Sequence, residues 1–105
     1  MSERITFRMV LRKGKAQAYR RRHDAIFPEL VEALKAAGVS DYSIWLDPET
    51  HHLFAILTRS EDHGMDALPR AEVVKRWWAF MADIMETDAD NVPHQVPLAL
   101  MFHLP

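Results

Sequence analysis

The chain has 105 residues, 49% of them apolar, with thirteen basic and fifteen acidic side chains for a formal charge of -2. That length suits one domain around one modest core, residues 1–105, and the charge balance lacks the basic excess that a phosphate backbone demands, so no nucleic acid partner is expected. There is no cysteine, which excludes a disulfide framework, a thiolate metal site and a cysteine nucleophile. No run approaches the roughly 20 apolar residues of a membrane span, and Met1-Ser2-Glu3-Arg4 leads straight into an alternating segment without a leader pattern, so a cytoplasmic protein away from membranes is expected.

From Ile5 to Leu11 apolar residues alternate, with Ile5, Phe7, Met9 and Leu11 on one face and Thr6, Arg8 and Arg12 on the other, the period of a half-buried strand. Beyond Lys13-Gly14, Tyr19, His23, Phe27, Leu30 and Leu34 recur at steps of three or four and predict a long helix. Pro28 lacks an N–H and disfavours helical geometry in Phe27, so the helix should kink or restart there with Pro28 at its first position. Gly38 is placed to end it. Two strands, Asp41 to Asp47 and His52 to Thr58, are joined by Pro48-Glu49-Thr50 and predict a hairpin. Tyr42, Ile44 and Leu46 share a face there and Trp45 points the other way, while the second strand is apolar on both faces. Such a sheet must be covered twice, so a second subunit is expected on the Trp45 face.

Ser60 is a plausible helix cap ahead of Glu61 and Asp62, Pro69 breaks that piece, and Val73, Val74, Trp77, Trp78, Met81, Ile84 and Met85 mark a strongly apolar helix. Residues 86–97 are polar, acidic and proline-rich, hence a loop, and Leu98, Leu100, Phe102 and Leu104 alternate as a last strand. The order βαββαβ predicts an α+β, ferredoxin-like antiparallel sheet with helices on one face.

His23 follows Tyr19 by four residues, so both project from one helix face toward the sheet. Taken alone, such a pair fills a core more often than it does chemistry. Tyr42 and the Trp77-Trp78 pair add rings with polar handles, the mixture of a small-ligand site, and adjacent indoles cannot both enter one core because helix neighbours lie about 100° apart. His51-His52 is no metal pair, since strand neighbours face opposite sides, and Asp88, Asp90 and Asn91 lack the glycine and terminal glutamate of a calcium loop. No metal and no cofactor are expected. Arg20-Arg21-Arg22 reads as a solvated face with one arginine turning in to hold a carboxylate such as Glu29.

At these residues the chain resembles the L-rhamnose mutarotase family over nearly its whole length. Tyr19-Arg20-Arg21-Arg22-His23 and Ile26-Phe27-Pro28-Glu29-Leu30 are similar to the family's tyrosine-to-histidine helix and its Ile-Trp-Pro-Glu-Leu. Tyr42-Ser43-Ile44-Trp45-Leu46-Asp47 resembles its Tyr-x-Ile-Tyr-Leu-Asp strand, Arg76-Trp77-Trp78 its double-tryptophan helix, and Leu104-Pro105 its closing dipeptide. The resemblance implies a dimeric α/β-barrel architecture, a metal-independent sugar mutarotase of rhamnose catabolism, His23 as catalytic proton donor, and Tyr19, Tyr42, Trp77 and Trp78 as sugar-binding residues. Asp24-Ala25 stand where the family commonly has Asn-Pro, and Phe27 where it has tryptophan. Asp24 would raise the pKa of His23 if the two approach. The rival readings are a small monooxygenase on the same scaffold and a non-catalytic sugar-binding module, since fold alone does not fix function.

Overall fold

The computed structural model describes residues 2–105; Met1 lies outside the described residues. The strands are β1 (Glu3–Val10), β2 (Val39–Leu46), β3 (His52–Arg59) and β4 (Val96–Pro97), and the helices are α1 (Ala16–Asp24), α2 (Pro28–Ala36) and α3 (Glu72–Met81). The alternation at the start gives β1, with Leu11 just beyond it bridging Met85. The expected long helix is two: α1 stops at Asp24 and α2 restarts with Pro28 in its first turn, because a proline ring would collide with the carbonyl four residues back. Gly38 ends α2 at φ 88, a conformation that a side chain resists, and its N–H donates to the carbonyl of Lys35.

The sheet order is β2-β3-β1-β4, all antiparallel, which is the ferredoxin-like arrangement. Register pairs Phe7 with Ala55, Met9 with Leu53 and Ile44 with Ala55 on the face that the helices cover. Leu53, Ala55 and Leu57 are almost wholly buried there, and Leu53 and Ala55 share one core cluster with Leu30, Val74, Trp77 and Met81. Among the described residues no charged or polar residue is buried in this core. The opposite face carries Trp45 and Arg8 opposite Phe54, and Thr6 opposite Ile56, and Trp45 and Ile56 on it are exposed. Trp45 is 66% exposed.

Three segments differ from the sequence expectation. Ser60 caps no helix: its N–H donates to Gly38 and its carbonyl accepts from His63, so it closes a turn, and a 3-10 turn over Met65–Arg70 follows. Gly64 and Pro69 leave too short a run for an α-helix. After Met81 the chain tightens into a 3-10 turn, Ala82–Ile84, and Met85 is already extended, so Ile84 and Met85 reach the core from outside the helix. The final strand lies earlier than expected: no strand forms over residues 98–104, and β4 falls at the end of the expected loop, pairing Val96 with Arg8 and Pro97 with Phe7, while the N–H of Leu98 donates to Thr6. Residues 99–105 then leave the sheet, with Leu100, Met101, Phe102 and Leu104 all largely in solvent, because alternation alone supplies no partner strand.

Candidate active site

Between the helices and the sheet lies a cavity of about 1130 Å³, and all five residues singled out in the sequence, Tyr19, His23, Tyr42, Trp77 and Trp78, line it. Each arrives from a different local cause. Tyr19 and His23 lie one turn apart on α1 and their rings stack obliquely, centroids 4.3 Å apart. Tyr42 comes from edge strand β2, beside an irregularity of register between Ser40 and Ser43 where Asp41 takes φ 53. Trp77 enters from α3 and meets His23 edge-on at 5.2 Å. The two indoles divide as the helical angle requires: Trp77 is buried, whereas Trp78 is half-buried and keeps surface for a ligand.

The electrostatics set His23 apart from the two tyrosines. His23 Nδ1 lies 3.0 Å from the carbonyl oxygen of Tyr19; a carbonyl only accepts, so Nδ1 carries the proton and Nε2 presents a lone pair. Burial lowers the pKa of His23 below its usual 6.5, against smaller upward pushes from the Tyr19 carbonyl and from Asp24. The expected upward influence of Asp24 is therefore present, and desolvation outweighs it, because α1 leaves Asp24 exposed while the imidazole is half-enclosed. Burial, then the nearby Tyr42, raises the Tyr19 phenol, and burial pushes Tyr42 up to about 12. Both tyrosines stay protonated across the physiological range and offer hydroxyls as donors and acceptors.

Two features were not foreseen. Phe27 and Phe80 close an aromatic wall around Trp77, with centroids 4.9 Å and 5.8 Å from the indole; Phe80 stands three residues after Trp77, a spacing that could have flagged it. The inward arginine is Arg22, and its carboxylate is Asp83 rather than Glu29.

Comparison with known proteins agrees with this fold. The family model for L-rhamnose mutarotase matches residues 4–104. The chain is 60% identical over 102 residues to the L-rhamnose mutarotase of Sinorhizobium fredii, covering 97% of this chain and 98% of that one. It is 56% identical over 102 residues to that of Paraburkholderia xenovorans, covering 97% and 95%. The crystal structure of an L-rhamnose mutarotase from Formosa agariphila superposes with a TM-score of 0.90 at 48% identity, over 98% of this chain and 99% of that chain. A match of this extent, over a fold and cavity already described, places the chain in the L-rhamnose mutarotase family.

Proposed function

We infer that the protein is a carbohydrate isomerase that interconverts the α and β anomers of L-rhamnose, with His23 carrying the proton. The observation that carries this reading is the geometry of His23: its Nδ1–H is tied to the Tyr19 carbonyl and its free nitrogen belongs to a ring that lines the cavity beside Trp77. Mutarotation removes the proton from the anomeric hydroxyl as the C1=O1 bond forms and the C1–O5 bond breaks, and O5 takes a proton. Neutral His23 accepts the first proton at Nε2, and the imidazolium so formed delivers it to O5; both oxygens sit on C1, so one nitrogen serves them. Rotation about C1–C2 and the reverse transfers give the other anomer. A depressed pKa favours this order, because the resting imidazole is the base and the transient imidazolium is a ready acid. No cofactor is needed for a reaction that already proceeds in water.

The tyrosine hydroxyls bond ring hydroxyls of the sugar, Trp78 stacks on its C–H face, and the apolar lining accepts the C6 methyl, worth about 1–3 kcal/mol of discrimination. A homodimer through the Trp45 face and a cytoplasmic location complete the proposal. Saturation-transfer NMR on the anomeric protons tests it: His23→Asn should keep the fold and sugar binding but cut exchange by roughly 10² to 10⁴. Equal rates in both proteins would end the assignment of His23.

A further inference from the structure

Helix α1 carries both Tyr19 and His23, yet Tyr19 is the one residue it buries, and nine residues are too few for a helix to hold itself by propensity. Its place on the protein comes from tertiary contacts. Arg20 and Arg21 are exposed, but Arg22 is half-buried. Its Nη1 donates to the carbonyl of Phe80 at 2.8 Å and to Asp83 Oδ1 at 2.7 Å, and its Nη2 donates to Asp83 Oδ2 at 3.1 Å. The guanidinium carbon also sits 4.8 Å from the centre of the Phe80 ring. These acceptors occupy the last turn of α3 and the 3-10 turn after it, on the helix that carries Trp77 and Trp78. Helix α3 has no basic residue in its own last turn, so Arg22 supplies the cation that its unpaired carbonyls and negative dipole end favour. Holding a carboxylate by both oxygens requires the planar fork of arginine.

We propose that Arg22, gripped by Asp83 and the Phe80 carbonyl, is a positioning residue that sets the place of His23 against Trp77 and thereby against the bound sugar. The inference rests on His23 being the proton carrier. Neighbours on a helix point about 100° apart, so Arg22 draws one flank of α1 onto the end of α3 while His23 faces the cavity. Without that grip His23 rides on a helix secured by Tyr19 and by its own edge contact with Trp77. A displacement of about 1 Å at a reacting group is enough to cost roughly 10² in rate. The hydrogen bond from Arg22 holds the Asp83 carboxyl below its ordinary range, so the pair remains ionised wherever His23 is neutral.

The test uses Arg22→Gln, Arg22→Lys and Asp83→Asn, with Arg21→Gln as a control that removes the same charge from an exposed neighbour. Saturation transfer gives kcat and KM, circular dichroism gives the fold, and the His23 Cε1 proton, lying in the ring-current field of Trp77, reports geometry without reference to activity. In Arg22→Gln we expect kcat down by roughly ten- to a hundredfold, KM within about threefold of wild type, and a moved His23 resonance. Asp83→Asn should give a smaller loss in the same direction, Arg22→Lys partial recovery, and Arg21→Gln no change. Wild-type kcat with an unmoved resonance in Arg22→Gln, or in Arg22→Lys should the first not fold, would overturn the proposal, as would an equal loss in Arg21→Gln. His23→Asn separates the two readings: full activity there removes the proton carrier, whereas an inactive His23→Asn beside a fully active Arg22→Gln removes the positioning role alone.

Discussion

Truncating Trp77 to alanine should damage the fold first and catalysis second, and the opposite should hold for Trp78. Trp77 is 7% exposed and packs against His23, Phe27 and Phe80. A buried indole withdraws about 200 Å² from water, which at about 25 cal/mol per Å² is an upper estimate near 5 kcal/mol, since the denatured chain already covers part of it. Truncations of large aromatics in cores cost about 3–5 kcal/mol, a large share of the roughly 5–15 kcal/mol that holds a domain of this size. For Trp77→Ala that becomes a fall in Tm of about 15–30 °C. Half-buried Trp78 should lose less than about 2 kcal/mol on truncation, with the larger effect appearing as a raised KM. Thermal unfolding followed by circular dichroism, beside saturation-transfer kinetics at a temperature where both variants are folded, separates the two. If Trp77→Ala melted within about 5 °C of wild type, or Trp78→Ala cost more stability than Trp77→Ala, the division of labour between the indoles would be wrong.

The exchange rate should fall as pH drops through the lowered pKa of His23, below 6.5, because the neutral base is the starting form; an acid limb centred above 6.5, or one that survives in His23→Asn, would contradict this. No alkaline limb is expected up to about pH 10, since both phenols are raised, Tyr42 to about 12; a phenol ionising near pH 9 would sink that expectation. Trp45→Glu should turn a dimer into a monomer in light scattering, because it charges an exposed indole position on the sheet face opposite the helices, and an unchanged mass would relocate the interface. Gly38→Ala should lose about 1–3 kcal/mol, as it forces a side chain into left-handed geometry and into the Ser60 hydroxyl; chemical denaturation reads this directly, and an unaltered midpoint would refute it.

What could be read from the sequence was what local chemistry decides. The alternation of β1, the restart at Pro28 and the left-handed Gly38 are each settled within a few residues, and the structure has all three. Tyr19, His23, Tyr42, Trp77 and Trp78 were found because polar-tipped rings on apolar stripes stand out against a pattern that should read leucine. Ser60 failed because a good cap residue needs a helix-length run after it, and Gly64 and Pro69 deny one. The tail from Leu98 alternates as a strand does, but a strand needs a neighbour, and no periodicity says whether one exists. The sequence points to one inward arginine in Arg20-Arg21-Arg22 without saying which, and the partner of Arg22 lies 61 residues away, beyond any helix-spacing rule. The pKa of His23 turned on enclosure by a second helix, which the adjacent Asp24 could not reveal.

The core between helices and sheet holds no charged residue among those described, and its one phenol, Tyr19, is raised away from any working pH. Acid therefore finds little inside to protonate. His23, with its folded pKa depressed, contributes stability that is full above 6.5 and declines only as pH falls toward the lowered value. Asp83, also depressed, keeps its grip on Arg22 until pH falls below the ordinary carboxylate range. Mild acid should thus silence the chemistry while the architecture stands, and a return to neutral pH should restore turnover at once, without a refolding step.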